Sequence, residues 1–274
     1  MPILLTMTNV IDIYTDGDED GRLVRDRDQV EWARTCDLLA RWLPPPPAVV
    51  LDVGGGPGRY AEHLTGRGYT VTIYDLVPRH VEQAAARGIT AHVADARDLP
   101  AKTGTADAVL LLGPLYHLPE RADRASALAE AVRVLRPGGV LVATALSRWA
   151  RVFVRAAAGQ LGDPMWHEHT LTSMRAGHVE DGDAWDQVVY LHDVNELATE
   201  LTAAGLRDAQ VLGVEGPIGA WARVHPQLNP HALRLAERAE VALAATSIHL
   251  LATATAPVRP PDPGDDLMRG RAVG

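Results

Sequence analysis

Between residues 48 and 145, short apolar runs alternate with stretches of helical period, and this alternation narrows the fold most. The runs at 48–53, 70–75, 90–93, 106–112 and 140–145 are of strand length. Segments at 58–66, 79–86 and 121–135 carry apolar residues at helical spacing and fall between those runs. Strands joined through helices pair in parallel, by right-handed crossovers, so the pattern predicts a doubly wound α/β sheet. Ligands of such sheets bind outside the carboxyl ends of the strands. Ahead of the first strand, Val30, Trp32, Ala33, Leu38, Leu39 and Trp42 predict a helix over 27–42, and Pro44 to Pro47 stop it.

The carboxyl end of the first strand carries the main functional signal. Val49-Val-Leu-Asp-Val53 runs into Gly54-Gly-Gly-Pro-Gly58 and then into a helix. Glycine has no Cβ to hold a ligand away, so such a turn lets backbone N–H groups close on an anionic or strongly polar group. The dinucleotide fingerprint G-x-G-x-x-G does not fit it. Started at Gly54, its third glycine falls on Arg59, and started at Gly55, its second falls on Pro57. Started at Gly56, the third position is the permitted Ala61, but the motif then begins several residues after the strand has ended. The pattern D-x-G-x-G-x-G fits from Asp52 to Gly58 without forcing. About twenty residues on, the second strand ends in Asp75, at the spacing that lets a carboxylate accept from ribose hydroxyls.

The Asp52–Gly58 pattern resembles motif I of class I methyltransferases, which bind S-adenosylmethionine (SAM). Leu112-Gly-Pro-Leu-Tyr-His-Leu118, Asp75-Leu-Val-Pro-Arg-His-Val-Glu-Gln83, Leu191-His-Asp-Val-Asn-Glu-Leu197 and Gly213-Val-Glu-Gly-Pro217 are similar to a largely actinobacterial subgroup of small-molecule, natural-product methyltransferases. The likeness runs from about Tyr14 to about Ala256 and is dense in the first 145 residues. It implies a Rossmann-like, mostly parallel seven-stranded sheet with an antiparallel C-terminal strand and a helical cap insertion. Segments 207–214 and 247–255 read as strands near that end, with a helix over 229–245 between them. By the same resemblance, Asp52, Gly54, Gly55, Gly56 and Gly58 surround the methionine part of SAM. Asp75 holds both ribose hydroxyls, Leu76 packs by the adenine, Asp95 accepts from the adenine amino group, and Ala96 adds a backbone contact. Leu112 joins this cofactor set, Arg22 meets the cofactor carboxylate, and Tyr14 closes over the site.

The implied reaction is in-line transfer of the SAM methyl to a small acceptor, leaving S-adenosylhomocysteine (SAH). An acceptor O–H, N–H or aromatic carbon must lose a proton, and His117, Tyr116, His178 or His192 would accept or relay it. Residues 147–192 form an insertion that holds three of the six tryptophans. Trp149, Phe153, Trp166, Trp185 and Tyr190, with Trp221 further on, are the expected walls of an acceptor site suited to an aromatic or heteroaromatic, indole-like molecule. His167 and His169 have no carboxylate or cysteine partner at ligand spacing, so no metal is expected. The expected organisation is an N-terminal arm and helix over 1–43 acting as a lid, a SAM-binding domain over 44–257 containing the cap, and a disordered tail over 258–274.

Composition excludes little but leans clearly. With 26 basic and 35 acidic residues the formal charge is −9, which disfavours a nucleic acid held by its phosphates. The single cysteine, Cys36, cannot form an internal disulfide and suits a reducing cytoplasm. No basic N-terminal stretch leads into a long apolar core, and no run reaches membrane-spanning length. The expectation is a cytoplasmic monomer or homodimer acting on a small molecule, with no nucleic-acid or membrane partner. Two rival readings are an NAD(P)-dependent oxidoreductase and a non-catalytic SAM-binding protein.

Overall fold

A computed structural model describes residues 10–15, 17–178 and 189–258. Its centre is an eight-stranded sheet: β1 (Val49–Val53), β2 (Thr70–Asp75), β3 (Thr90–Val93), β4 (Ala106–Leu111), β5 (Leu135–Ser147), β6 (Leu191–His192), β7 (Arg207–Gly213) and β8 (His249–Thr255). The order is β3-β2-β1-β4-β5-β8-β7, with β6 alongside β5. Strands β1 to β6 pair in parallel, whereas β8 runs antiparallel to both β5 and β7. Besides a helical stretch over 10–15, the helices among the described residues are α1 (Glu19–Arg22), α2 (Gln29–Trp42), α3 (Arg59–Thr65), α4 (Pro78–Ala86), α5 (Arg121–Val134), α6 (Ala150–Ala157), α7 (Pro164–Ala176), α8 (Val194–Ala203), α9 (Gly219–Val224) and α10 (Asn229–Ala239).

The strands sort their side chains by the two-residue period of extended chain. In β4, Val109 and Leu111 enter one core with Leu128 of α5 and Leu197 and Leu201 of α8. Ala108 and Leu110 enter the other, with Leu38 and Leu39 of α2, Leu64 of α3 and Ala84 of α4. Both faces are therefore covered, as a parallel sheet requires. Each fully buried leucine contributes about 1.5–3 kcal/mol relative to exposure. Between the α5 and α8 helices lies a buried ion pair, Arg124 Nη2 to Glu200 Oε1 at 2.7 Å, with His192 Nε2 3.4 Å from the same carboxylate.

Three local expectations need correction. The sheet has eight strands and not seven, because Leu191–His192 pairs with Leu146 and Ser147 at the end of β5. The strand expected over 140–145 runs instead from Leu135 to Ser147, and within it the register jumps from Ala106–Leu135 to Ala108–Val140. The helix expected over 229–245 stops at Ala239, and the Glu240 carbonyl turns to accept from the Gly213 N–H. Among the described residues no helix is long and apolar enough to cross a membrane. The tail beyond Val258 and residues 1–9 of the expected N-terminal arm lie outside the described residues.

Candidate active site

A cavity of about 400 Å³ opens at the carboxyl ends of β1, β2 and β4. Its floor is the glycine turn. Gly54 has a φ of +73°, and a Cβ there would stand 2.7 Å from Pro114, so both backbone conformation and space demand glycine. Gly54, Gly55 and Gly56 line the cavity, whereas Gly58 does not. Gly58 instead lets α3 close on the sheet, since a Cβ would meet Ile89 at 3.0 Å and Ile73 at 3.2 Å.

Asp75 is fixed before any ligand arrives. Its Oδ2 accepts from the Gly56 N–H at 2.8 Å and its Oδ1 from the Val77 N–H at 2.9 Å. His80 Nδ1 stands 3.2 Å from the same Oδ1. Such a carboxylate keeps lone pairs for further donors. Leu76, Ala96 and Leu112 also line the cavity. Asp95 does too, but Arg97 engages both its oxygens, with Nη2 at 2.7 Å from Oδ2, and the guanidinium lowers its pKa against the opposing effect of burial.

Asp52 is the most telling group. It is fully buried at the end of β1, lines the cavity, and neither carboxylate oxygen has a hydrogen-bond partner. Burial, with the nearby Asp75 charge, pushes its pKa up to about 7. An orphaned carboxylate in an apolar site is costly, and a cationic donor placed beside it removes that cost. SAM carries an ammonium and a sulfonium, so Asp52, the glycine turn and Asp75 together fit that molecule.

The N-terminal segment closes one side. Tyr14, Glu19 and Arg22 line the cavity, and Asp20 is held by Arg87 and lies 3.7 Å from Arg59. Arg22 is not open-ended: Nε donates to Glu19 at 2.6 Å, and Nη1 donates to both Glu31 oxygens at 2.8 Å. A short turn, Pro114–His117, supplies Tyr116 and His117 with Leu115 anchoring it in the core. Tyr14 Oη and His117 Nε2 are 2.8 Å apart. Burial holds the Tyr14 and Tyr116 hydroxyls well above the usual phenol range, so both stay protonated.

A second cavity, also about 400 Å³, adjoins the first, and Tyr14, Glu19, Arg22 and Tyr116 line both. Its remaining wall comes from α6, from Leu146, Val189 and Leu191, and from Arg223, Ile248 and His249. These residues, with Glu31 and Glu215 behind them, escaped sequence reasoning. Arg151 and Arg155 had a usable signal, since they recur one helical turn apart. Glu31, Glu215 and His249 bring three ligand-type atoms within 4.8 Å of one another. Glu31 is already held by Arg22, and His249 Nδ1 by Glu215.

The residues expected to form aromatic acceptor walls stand elsewhere. Phe153 and Trp221 pack on each other, 6.2 Å between centroids, in a cluster with Ala150 and Ile248 behind the second cavity. Trp149 is exposed, and Trp166 lies flat under the Arg155 guanidinium at 3.4 Å. Tyr190 is buried under Arg124, donates its hydroxyl to Glu196 at 2.5 Å, and donates its N–H to the Tyr116 carbonyl at 2.8 Å. Trp185 lies outside the described residues. Among the proton carriers proposed from sequence, His192 is fully buried against Glu200, where burial lowers its pKa, and it lines neither cavity. His178 lies two residues beyond the end of α7, with Nδ1 3.2 Å from the Ala176 carbonyl oxygen, and lines neither cavity.

The strand order, the antiparallel β8 and the glycine turn facing Asp75 define the class I SAM-dependent methyltransferase fold. A family model described as a methyltransferase domain matches residues 51–143, about a third of the chain. The chain is 35% identical over 119 residues to a ubiquinone biosynthesis O-methyltransferase of Xanthomonas oryzae pv. oryzae, covering 41% of this chain and 48% of that protein. It thus spans about half the length of the curated relatives it matches. Among solved structures, a SAM-dependent methyltransferase of Thermotoga maritima, titled a possible histamine N-methyltransferase, superposes with a TM-score of 0.60 at 16% identity, covering 91% of this chain and 99% of that one. The 1,6-didemethyltoxoflavin-N1-methyltransferase of Burkholderia thailandensis, bound to SAH, gives 0.55 at 19% identity, covering 93% of this chain and 88% of that one.

Proposed function

We propose that the protein transfers the methyl group of SAM to a small-molecule acceptor held in the second cavity. The observation that carries this reading is the orphaned Asp52 carboxylate on a glycine-turn floor, in a cavity that shares Tyr14, Arg22 and Tyr116 with a neighbouring chamber. Bound SAM supplies a methyl group on a cationic sulfur, an electrophile that needs alignment more than activation. Asp52 receives the ammonium of its methionine part, and Asp75 accepts from the ribose hydroxyls. Tyr14 and Tyr116 stand between the chambers, orient the acceptor and exclude water.

The Tyr14–His117 pair supplies a proton path. With the imidazole in its Nδ1–H tautomer, the protonated Tyr14 hydroxyl donates to His117 Nε2. When the acceptor loses its proton, Tyr14 oxygen takes it while passing its own to the imidazole. An aromatic or heteroaromatic, indole-like acceptor, O-methylation of a phenol and N-methylation remain the arms of a single test. The Xanthomonas relative's name favours the oxygen arm.

Calorimetry with SAM, SAH and NADH tests the cofactor. Micromolar SAM binding is expected, and tight NADH binding without SAM binding would sink the reading. Incubation with methyl-labelled SAM and a panel of indoles, phenols and amines tests turnover. Labelled product from at least one is expected, and none from any would favour a SAM-binding protein without turnover.

A further inference from the structure

We infer that the second cavity takes a carbonyl-bearing acceptor, with His249 Nε2 donating to the carbonyl oxygen. This rests on the methyl-transfer reading above and names the substrate class of that site.

His249 opens β8 and lines the second cavity, and Glu215 holds it at two points from behind. Glu215 Oε2 accepts from the His249 backbone N–H at 2.9 Å, and Oε1 pairs with the ring Nδ1. The His249 carbonyl accepts from the Val214 N–H at 3.0 Å, so main chain and ring are both fixed. Glu215 is 2% exposed and lines neither cavity. A buried carboxylate on one ring nitrogen makes that nitrogen the N–H and turns the other away from it. Nε2 has no hydrogen-bond partner among the described residues and is not shut off from solvent, so it faces the cavity that the ring lines.

The charges of this wall are met inside the protein. Arg22 is held by Glu19 and Glu31, and Arg223 Nη2 by Asp28 Oδ1 at 2.5 Å. Arg155 stacks on Trp166 and donates to Gln160 Oε1 at 2.8 Å, and Arg151 is engaged as well. The cavity therefore calls for a neutral molecule. Its apolar part, Leu146, Val154, Val189, Leu191 and Ile248, suits the body of that molecule, and Nε2 offers it one polar anchor.

The role of Nε2 depends on the charge of the ring. The charged groups around it are Glu215 after β7, Glu31 on α2 with Oε2 3.9 Å from Nδ1, Arg223 on α9 and, beyond Glu31, Arg22. On the cavity side, Glu19, Arg151, Arg155 and the phenols of Tyr14 and Tyr116 share the lining. Burial and, less strongly, Arg223 lower the His249 pKa, but Glu215 and Glu31 outweigh them, and the imidazolium persists to higher pH than usual. In that form Nε2 carries a hydrogen, and its charge-assisted bond to a carbonyl oxygen is stronger than a neutral one. As pH rises through the raised pKa the hydrogen is lost, and Nε2 can only accept.

The test uses the full chain with saturating SAH and two ketone–alkyl pairs, 3-acetylindole with 3-ethylindole and 4-aminoacetophenone with 4-ethylaniline. Calorimetry at about pH 6.5 should show at least one ketone binding about tenfold or more tightly than its alkyl partner, an advantage severalfold smaller by about pH 9. Glu215→Gln should move that loss to lower pH. His249→Phe should bring ketone and alkyl partner within about twofold, with SAH titration reporting that each variant is folded. Equal affinity of ketone and alkyl partner, tighter binding of the alkyl partner, or no binding of either ketone with SAH bound would overturn the inference. So would a ketone advantage that ignores pH or survives in His249→Phe. Failure of SAH itself to bind would instead overturn the methyl-transfer reading. The wild-type pH comparison decides the matter even if a variant does not fold.

Discussion

The two cavities share four residues yet are built by different rules. The first is made of strand ends, and each of its parts answers a local demand: a positive φ at Gly54, two backbone donors on Asp75, an unpaired carboxylate at Asp52. The second is assembled from Tyr14, α6, Arg223 and His249, which meet only because the whole chain has folded. A cofactor common to a family can be met by geometry that a short stretch encodes. On the proposed function, the acceptor is met by side chains gathered from a distance.

The sharpest way to break this comparison is Gly54→Ala. The Cβ would sit 2.7 Å from Pro114 at a φ of +73°, so SAH affinity should fall more than a hundredfold in calorimetry. Gly205→Ala is the control, because it has a φ of +88° but nothing within 4 Å. It should cost about 1–2 kcal/mol of stability and leave SAH binding within twofold. If both variants bound SAH alike, the glycine floor would not be the cofactor's seat.

Asp75→Asn comes next. It removes a charge that accepts two backbone N–H bonds, and charge-assisted bonds are worth about 1.5–3 kcal/mol each. SAH affinity should drop about 10- to 100-fold, while acceptor-probe binding to the second cavity is much less affected. Equal losses in both would merge the two sites into one.

Asp52 gives a pH test. Its pKa is raised in the folded protein, so the stability it contributes is present at low pH and is lost as pH rises through about 7. A cationic ligand binds the ionised form, so SAM affinity should rise with pH below about 7, by up to about tenfold per unit, and level off above. Asp52→Asn should flatten that profile, and an unchanged slope would remove Asp52 from the cofactor site.

The smallest expected effect belongs to the boundary between the chambers. Tyr14→Phe deletes the hydroxyl beside His117, and turnover of whichever acceptor the panel finds should fall about tenfold, with SAH affinity altered by less than threefold. A fall confined to SAH affinity would make Tyr14 part of the cofactor cover alone.

The sequence made the first cavity readable because its residues are fixed by short-range rules. A strand ending in Asp52, glycines at positive φ and a second strand ending in Asp75 leave their mark in consecutive letters. The acceptor side misled for a physical reason. Tryptophans in an insertion suit a ligand wall, but Trp166 serves as the platform for Arg155, and Phe153 and Trp221 fill space behind Ala150 and Ile248. His192 looked like a proton carrier beside a strand end. Its partner is Glu200, whose pKa burial would raise but His192 and Arg124 hold at about 2, and that buried cluster joins α5 to α8. Arg223 and His249 gave no signal at all, because nothing near them in the chain shows that they face Tyr116.

The antiparallel strand β8 sets an order of events during synthesis. It lies between β5 and β7, both made earlier, so that side of the sheet stays open until residues 249–255 emerge. Pairings so distant in sequence are slow to form. The lining of the first cavity is complete in sequence by Asp123, whereas that of the second waits for His249. On the ribosome, a nascent chain of this protein carries the whole lining of its first cavity long before the last residues of the second have emerged.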